Sequence, residues 1–413
     1  MAKFLWTQKQ DIGPKPRRGH AMAFDSARQR LVLFGGNEFL PTLFKNTWEW
    51  DGENWTQMTD LGPRPRLEFA MAYDSQRRKT VLFGGMVVAG ERLGDTWEWD
   101  GENWTQVEDS GPAPRSSHAM AFDVLRGRVV LFGGNAQAGL VADTWEWDGE
   151  GWTQTGEAGP APRQDHTLAY DRDRKRLTLF GGWDGNAIFN DTWGWDGEVW
   201  TQLADIGPAA RHHAALAAAE DRLVLFGGMG MTEEPKLIIY GDTWEWDGKR
   251  WVQRTDFGPP PRWGHSLAYD DVNHHLVLFG GLAVDETLPA DQLAKGLLGD
   301  TWEHPVTPVA IIPDQAAILE SLTLTPNTGV FEQIAAGAFH VTCTIKLKGA
   351  AIETKNVIIT TTIPGLAPQQ VSIPAGILEM SKDILLPDGF AVGDWPFQAI
   401  LDGETKTATF TVT

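Results

Sequence analysis

Six short segments of this 413-residue chain carry side chains able to move protons or hold a polar molecule, and all six share one register. Each follows the arginine of a Pro-x-x-Arg segment: Arg18-Gly19, Leu67-Glu68, Ser116-Ser117, Gln164-Asp165, His212-His213 and Trp263-Gly264. No two agree, although the residues around them repeat. Glu68, Asp165 and His213 supply carboxyl and imidazole groups, the side chains that most often act as general acid and base, and they are the candidate catalytic residues. Arg18 suits an anion, Ser117 and His212 can give or accept a hydrogen bond, and Trp263 offers an aromatic wall. Trp183 and Tyr240, from loops further along the chain, complete the candidate ligand-binding set. Taken singly, each of these residues is ordinary variation in an exposed loop. They form a site only if the fold brings them together, because proton transfer requires contact with the substrate directly or through one water.

The elements that must position them recur about every 48 residues. Phe-Gly-Gly starts at Phe34, Phe83, Phe132, Phe180, Phe226 and Phe279, with spacings of 49, 49, 48, 46 and 53. Within a copy, Ala21-Met22-Ala23-Phe24 alternates small and large residues, Asp25 to Arg30 is a polar turn, and Leu31 to Phe34 is an apolar strand ended by two glycines. Trp48-Glu49-Trp50, a turn at Asp51-Gly52 and Trp55-Thr56-Gln57 add two more strands. Four antiparallel strands per repeat, six times over, predict a six-bladed β-propeller. The sixth copy lacks the final Trp-Thr-Gln strand, and Phe4-Leu5-Trp6-Thr7-Gln8 supplies one at the other end of the chain. Pairing the two joins the ends of the ring and removes an exposed sheet edge.

The order of these motifs, Pro-x-x-Arg-x-x-His, a double glycine after the second strand and paired aromatics later, resembles the Kelch repeat family over residues 1 to about 304. The pattern departs from itself where His is replaced by Phe69 and Ala214, and where Trp-Glu-Trp becomes Trp193-Gly194-Trp195. The resemblance implies that the loops between second and third strands share one face with the segments entering the first strand. On that face it would gather the variable residues named above. The same loops are apolar: Phe39, Leu40, Leu43 and Phe44, then Val87, Val88 and Leu93, then Leu140 and Val141, then Ile188 and Phe189, then Met229, Met231 and Leu237 to Ile239. A short helix over Pro289 to Leu298 is expected to cap this mouth.

Symmetry separates framework from site, since a residue type present in nearly every blade answers a packing need common to all. Seventeen of the twenty tryptophans fall in repeat positions and are assigned to blade cores. Arg17, Arg66, Arg115, Arg163, Arg211 and Arg262 are expected to pair with Glu49, Glu98, Glu146, Glu245 and Glu303. His20, His118, His166 and His265 share one register and are read as structural rather than as an axial metal ring. The Gly-Gly pairs carry no phosphate-loop meaning, since no helix follows them.

After Trp302 a Pro-rich linker leads to residues 306–413, whose short strands at Leu322–Thr325, Phe339–Leu347, Asn356–Thr362, Gln370–Ile373, Ile377–Leu386, Trp395–Leu401 and Thr405–Val412 suggest an immunoglobulin-like β-sandwich anchored by Trp395. A net charge of -20 argues against nucleic acid and anionic membranes as partners. No apolar run reaches the ~20 residues of a membrane span. A single cysteine, Cys343, and no signal-like start favour a cytoplasmic protein. Kelch propellers with an immunoglobulin-like domain include galactose oxidase, whose copper centre needs a Tyr-Cys crosslink. Cys343 lies in the C-terminal part, away from Tyr73, Tyr170, Tyr240 and Tyr269, so neither copper nor another cofactor is expected. Two functions remain. One is a binding propeller whose apolar mouth takes a small apolar or aromatic molecule or a partner protein. The other is an enzyme of isomerase, mutarotase or cyclase type, as in the sialic acid mutarotases among six-bladed Kelch proteins.

Overall fold

The computed structural model describes residues 4–9, 12–156, 158–231, 237–254, 256–283 and 296–306, and the strand residues 318–325, 328–329, 340–348, 355–361, 369–373, 379–385, 393–401 and 404–412. The chain divides into two compact units, Met1–Pro308 and Val309–Thr413. Among the described residues no helix is long and apolar enough to cross a membrane.

The first unit is a β-propeller of six four-stranded antiparallel sheets. Its first blade runs Ala21–Asp25, Arg30–Phe34, Thr47–Trp50 and Trp55–Thr59 from the inside outward. The next four blades repeat that order, beginning at Ala70–Asp74, Ala119–Asp123, Thr167–Asp171 and Ala215–Ala219. The sixth holds Ser266–Asp270, His275–Phe279 and Thr301–Pro305, and its outer strand is Thr7–Gln8 from the start of the chain. Thr7 pairs with Glu303 and Gln8 with Trp302, the register in which Thr56 and Gln57 meet Glu49 and Trp48 in the first blade. Phe4–Leu5, expected in the same strand, instead pairs in parallel with Asp256–Phe257. The innermost strands pack side by side in cyclic order, and Ser266–Asp270 lies beside both Ala215–Ala219 and Ala21–Asp25.

Physical chemistry assigns each strand its place. Alanines in the innermost strand let six strands crowd near the axis, whereas the second strand is apolar throughout because neighbouring blades cover both its faces; Val32, Leu33 and Phe34 are all 0 % exposed. The third strand clamps the blades together. Trp50 Nε1 donates to Glu303 Oε1 at 3.1 Å, Trp99 Nε1 to Glu49 Oε1 at 3.0 Å and Trp147 Nε1 to Glu98 Oε1 at 3.3 Å, each reaching the preceding blade. The outer tryptophans do the same to the buried threonines of the third strand: Trp55 Nε1 donates to Thr301 Oγ1 at 2.8 Å and Trp104 Nε1 to Thr47 Oγ1 at 2.8 Å.

The repeated arginines do not pair with the repeated glutamates. Arg66, fully buried, forks onto Asp95 Oδ1 and Oδ2 at 2.7 and 2.8 Å and also donates to Gly84 O at 2.9 Å. Arg115, Arg163, Arg211 and Arg262 hold Asp143, Asp191, Asp242 and Asp300 in the same way. The reason is position along the strand. The arginine sits at the Gly-Gly end of its sheet, beside the residue that precedes Thr-Trp, while Glu49 lies mid-strand opposite Val32 and is taken by Arg28 at 2.7 Å and by the next blade's Trp99. In the first blade the acceptor is Asn46, so Arg17 gains one side-chain bond of 2.9 Å, its Nη2 has no partner, and burial pulls its pKa down to about 9. In the fourth blade Gly194 replaces the glutamate, and Trp246 Nε1 of the fifth blade is buried without a partner.

The four repeated histidines pack edge-on against the phenylalanine of the preceding blade, as His118 does on Phe83 with ring centroids 5.5 Å apart. Burial holds each imidazole well below its usual range, to about 3 for His265, and Arg115 and His166 push His118 the same way. Phe69 fills the same place in the second blade, edge-on to Phe34 at 5.7 Å.

The second unit consists of two sheets. Ile318–Thr325, His340–Lys348 and Glu379–Leu385 form one; Thr328–Gly329, Glu404–Val412, Gly393–Leu401, Lys355–Thr361 and Gln369–Ile373 form the other. All seven expected strands overlap these. Cys343, Ile345, Ile359, Phe397 and Ala399 are buried in it, and burial pushes the Cys343 thiol up to about 12. The expected anchor Trp395 lies in the strand Gly393–Leu401, its side chain outside the described residues. So does most of the expected helix over Pro289 to Leu298.

Two expectations follow. Asn46→Asp gives Arg17 its carboxylate, and Gly194→Glu gives Trp246 an acceptor with only the side-chain ends of Leu203 and Arg176 in the way. Each should stabilise the propeller by ~1–3 kcal/mol, the worth of satisfying a buried polar group, and in combination they should add because they lie in different blades; calorimetric melting checks both. Separately, a histidine held neutral when folded takes up a proton only on unfolding, so it lowers stability as pH falls below ~6.5, by about 1.4 kcal/mol per pH unit. His118→Phe, which copies Phe69, should therefore flatten the fall of stability between pH 6 and pH 4.5, and denaturant melts showing parallel pH profiles for both proteins would contradict this.

Candidate functional site

The six variable segments meet at the axis through their main chains. Gly19, Glu68, Ser117, Asp165, His213 and Gly264 all adopt left-handed backbone, with φ between 52° and 65°. That conformation turns each N–H onto the carbonyl of the equivalent residue in the neighbouring blade: Glu68 to Gly19 at 2.9 Å, Ser117 to Glu68 at 2.7 Å, Asp165 to Ser117 at 2.9 Å, His213 to Asp165 at 2.9 Å, Gly264 to His213 at 3.2 Å and Gly19 to Gly264 at 3.0 Å. The six bonds close a circle. A second belt surrounds it, in which the second glycine of each Gly-Gly pair donates to the carbonyl of the next blade's repeated arginine, as Gly36 does to Arg66 and Gly281 to Arg17, both at 2.9 Å. Both glycines have positive φ, and a Cβ on Gly36 would stand 2.7 Å from Arg18 O. The belt therefore demands glycine there.

Glu68, Ser117, Asp165 and His213 line one cavity of about 120 Å³ together with Gly19, Gly264 and the buried repeated histidines His20, His118, His166 and His265. Ser117 Oγ donates to Glu68 Oε2 at 3.0 Å, and His213 Nε2 lies 3.2 Å from Asp165 Oδ1. His212 Nδ1 lies 2.8 Å from His213 Nδ1 and 3.9 Å from Asp165 Oδ2. The ring of Trp183 stacks on His212 at 5.9 Å, that of Trp263 meets His213 edge-on at 5.1 Å, and the Arg18 guanidinium lies 4.5 Å over Trp263. Arg18 Nε and Trp263 Nε1 are buried donors without a protein partner.

Burial and mutual charge set the protonation states. Burial raises the Glu68 carboxyl and nearby Asp165 raises it further, while His213, Ser117 and Arg18 work the other way. Burial also raises Asp165, against Ser117, His212 and Gln164. His212 is pulled down to about 4 by burial and by His213, and His213 to about 4 by burial and by Arg18. Burial thus makes the two imidazoles less basic and the two carboxyls less acidic than usual, and such perturbed groups gathered in one cavity mark a candidate site.

Eight of the nine candidate residues come together here: Glu68, Asp165, His213, Arg18, Ser117, His212, Trp183 and Trp263. Tyr240 does not. Its ring lies 3.9 Å over Arg211, as Phe44 and Phe189 lie over Arg17 and Arg163, so its place is a framework one. Two further residues belong with the site. Arg92 Nη2 donates to Asn135 Oδ1 at 3.0 Å, Asn135 Nδ2 to Gln164 Oε1 at 2.9 Å, and Gln164 Nε2 to Asp165 Oδ2 at 2.8 Å. This chain fixes the Asp165 carboxylate from two blades away. Asn135 is the residue after Gly-Gly, a position that is Asn37 in the first blade and Met86, Trp183, Met229 and Leu282 in the others, so its type alone does not single it out.

Residues 46–228 and, overlapping them, 99–281 match the KLHDC2/KLHL20/DRC7 Kelch-repeats domain. No curated protein matches the sequence. Among solved structures the fold is similar to that of YjhT, with 15% identity over 71% of this chain and 96% of that one and a TM-score of 0.56. The RRP9 WD40 repeats (10% identity, 73% of this chain and 97% of that one, TM-score 0.42) and TolB from Acinetobacter baumannii (10%, 70% and 64%, 0.39) are more distant. The family match spans more than half the chain, and its repeats coincide with the blades that build the axial circle: this protein belongs to the Kelch-repeat family.

Proposed function

We propose that the propeller binds a small polar molecule at its axial mouth. The observation that carries this reading is the convergence of Glu68, Ser117, Asp165 and His213, from four different blades, on one cavity. A packing role common to all blades would repeat a residue type, and here no two of the four are alike. At about 120 Å³ the cavity is smaller than the ~300–1,000 Å³ of a pocket for a whole drug-sized ligand. It therefore receives the polar end of a ligand, with the remainder between Trp183, Trp263 and Arg18. The unpartnered donors of Arg18 and Trp263 and the carboxyls of Glu68 and Asp165 match a molecule with both acceptors and hydroxyl or amine donors. The exposed apolar residues Leu40, Val88, Met231 and Leu237, in the loops after the Gly-Gly turns, offer a partner protein additional surface, in keeping with the protein-binding role general to Kelch domains.

A second reading, proton transfer on the bound molecule, is favoured by the raised carboxyl of Glu68 opposite a neutral imidazole. Such a pair can donate a proton at one atom and accept one at another, the operation of an isomerase or mutarotase. For the second unit, its two sheets and seven strands at the expected places support an immunoglobulin-like sandwich.

A thermal-shift panel of small hydroxy acids, aldoses and amino acids tests the binding reading. Ligands that stabilise the wild-type protein should lose that effect in Trp183→Ala and Glu68→Gln, both of which should melt close to the parent. Trp50→Ala, a buried framework tryptophan, should by contrast destabilise by ~3–5 kcal/mol. Ligands that stabilise both site variants as well as they do the parent would overturn the assignment. For proton transfer, Glu68→Gln should abolish solvent-proton exchange into the ligand with affinity changed less than tenfold, and exchange retained in that variant would refute it.

A further inference from the structure

The geometry points to a divalent transition-metal site formed by Asp165, His212 and His213. Among the described residues these are the one group of His, Cys, Asp or Glu in which three residues each offer a ligand atom within 4.8 Å of the other two. The separations suit a shared ion. Two nitrogens each about 2.1 Å from a metal stand about 3.0 Å apart at a right angle and about 3.4 Å apart at a tetrahedral one. His212 Nδ1 and His213 Nδ1 are 2.8 Å apart, and His212 Nδ1 is 3.9 Å from Asp165 Oδ2. The first separation already falls near that of two ligands on one ion, and the second exceeds the tetrahedral spacing by about 0.5 Å.

The surrounding contacts prepare the ligand atoms. Asp165 Oδ1 lies 3.2 Å from His213 Nε2, a spacing that two ligand atoms of one ion can take. Asp165 Oδ2 is held by Gln164, Gln164 by Asn135 and Asn135 by Arg92, while Trp183 and Trp263 pin the two imidazole planes. These are outer contacts of the kind that orient ligands at metal centres.

Two imidazoles and one carboxylate suit Zn²⁺, Fe²⁺ or Co²⁺ and disfavour Ca²⁺ or Mg²⁺, which want oxygen ligands. Three protein ligands leave at least one coordination position open. The cavity lined by Glu68 and Ser117 adjoins Asp165 and His213, and water or an oxygen of the bound molecule would fill that position there. The ion thereby deepens the small-molecule reading, and only in this last respect does it rest on that reading.

Full-length protein, dialysed against chelator and then titrated with Co²⁺ alone, should bind one equivalent and develop the intense visible absorption of low-coordinate, nitrogen-ligated Co²⁺, which Zn²⁺ should abolish. His212→Ala and His213→Gln should each weaken binding at least 10-fold, and Gln164→Ala, which acts through Asp165, about 10-fold. His212 is at the rim of the cluster, so its variant keeps the test decisive should Asp165→Asn fail to fold. Co²⁺ that keeps its weak aqueous spectrum, or that binds equally to His212→Ala and the parent, would overturn the proposal. No organic ligand enters this titration, so its failure leaves the ligand panel standing, and failure of the panel leaves the metal result standing.

Discussion

Six main-chain hydrogen bonds in a closed circle around the axis are the constraint on which the rest of the molecule turns. Each bond exists because one residue per blade adopts left-handed backbone, a conformation costing on the order of 1 kcal/mol for any residue but glycine. Glu68, Ser117, Asp165 and His213 all bear it. Such strain persists only where the surroundings over-determine the backbone, and here each blade is gripped on both sides by its neighbours' carbonyls and N–H groups. Because the circle is made entirely of main chain, the side chains on it are released from structural duty. That release lets one blade carry a carboxyl and the next a hydroxyl without loss of symmetry in the fold.

The buried arginines transmit this constraint outward. Arg66 and its counterparts each bind the first glycine's carbonyl and the carboxylate before Thr-Trp in their own blade, while their own carbonyls receive the second glycine of the preceding blade. A single residue therefore ties the inner segment to the second strand, the third strand and the adjacent blade. A buried ion pair gains little net stability against an apolar alternative, but its geometry is demanding and a misplaced partner is costly. The arginine accordingly sets the height at which the next two residues reach the axis. Arg17, facing Asn46 instead of a carboxylate, is where this device is weakest, and Phe44 stacked on its guanidinium offsets part of the loss.

Much of this was legible in the sequence because repetition turns a weak local signal into a strong one. Phe-Gly-Gly alone means little, whereas six copies at nearly constant spacing specify blade count, strand order and the source of the sixth blade's outer strand. The variable pair after each arginine stood out for the opposite reason, as difference amid sameness. What the sequence did not reveal depended on reach and backbone sign. Arginine and glutamate both recur, so pattern alone joined them, yet their positions along the strand give the arginine an aspartate and the glutamate an arginine from the turn and an indole from the next blade. Left-handed backbone was hinted at only by Gly19 and Gly264, since Glu, Ser, Asp and His at the same register conceal it. Tyr240 reads as a site residue from its place in a loop after Gly-Gly, although Phe44 and Phe189 at equivalent places show its ring to be the repeated part.

Breaking the symmetry also gives the mouth a direction. On the circle itself the second to the fifth blades carry side chains, while the first and sixth have Gly19 and Gly264, and their side chains lining the cavity are those of His20 and His265. A Cβ at Gly264 would meet nothing closer than Arg18 Cβ at 3.4 Å, so that glycine does not answer crowding, whereas one at Gly19 would press on Leu67 Cβ at 3.3 Å. Together the two glycines leave one arc of the circle itself without side chains. Just beside that arc Arg18 stacks on Trp263. A molecule lying across the axis would present its polar end to Glu68, Asp165 and His213 and extend over the two glycines toward a cation resting on an aromatic ring. An anionic group at that distal end would meet Arg18, whose charge burial disfavours and Glu68 sustains. On the proposed reading an acid–base and metal-binding pole would lie opposite an anion-accepting one, with the two glycines of the circle between them.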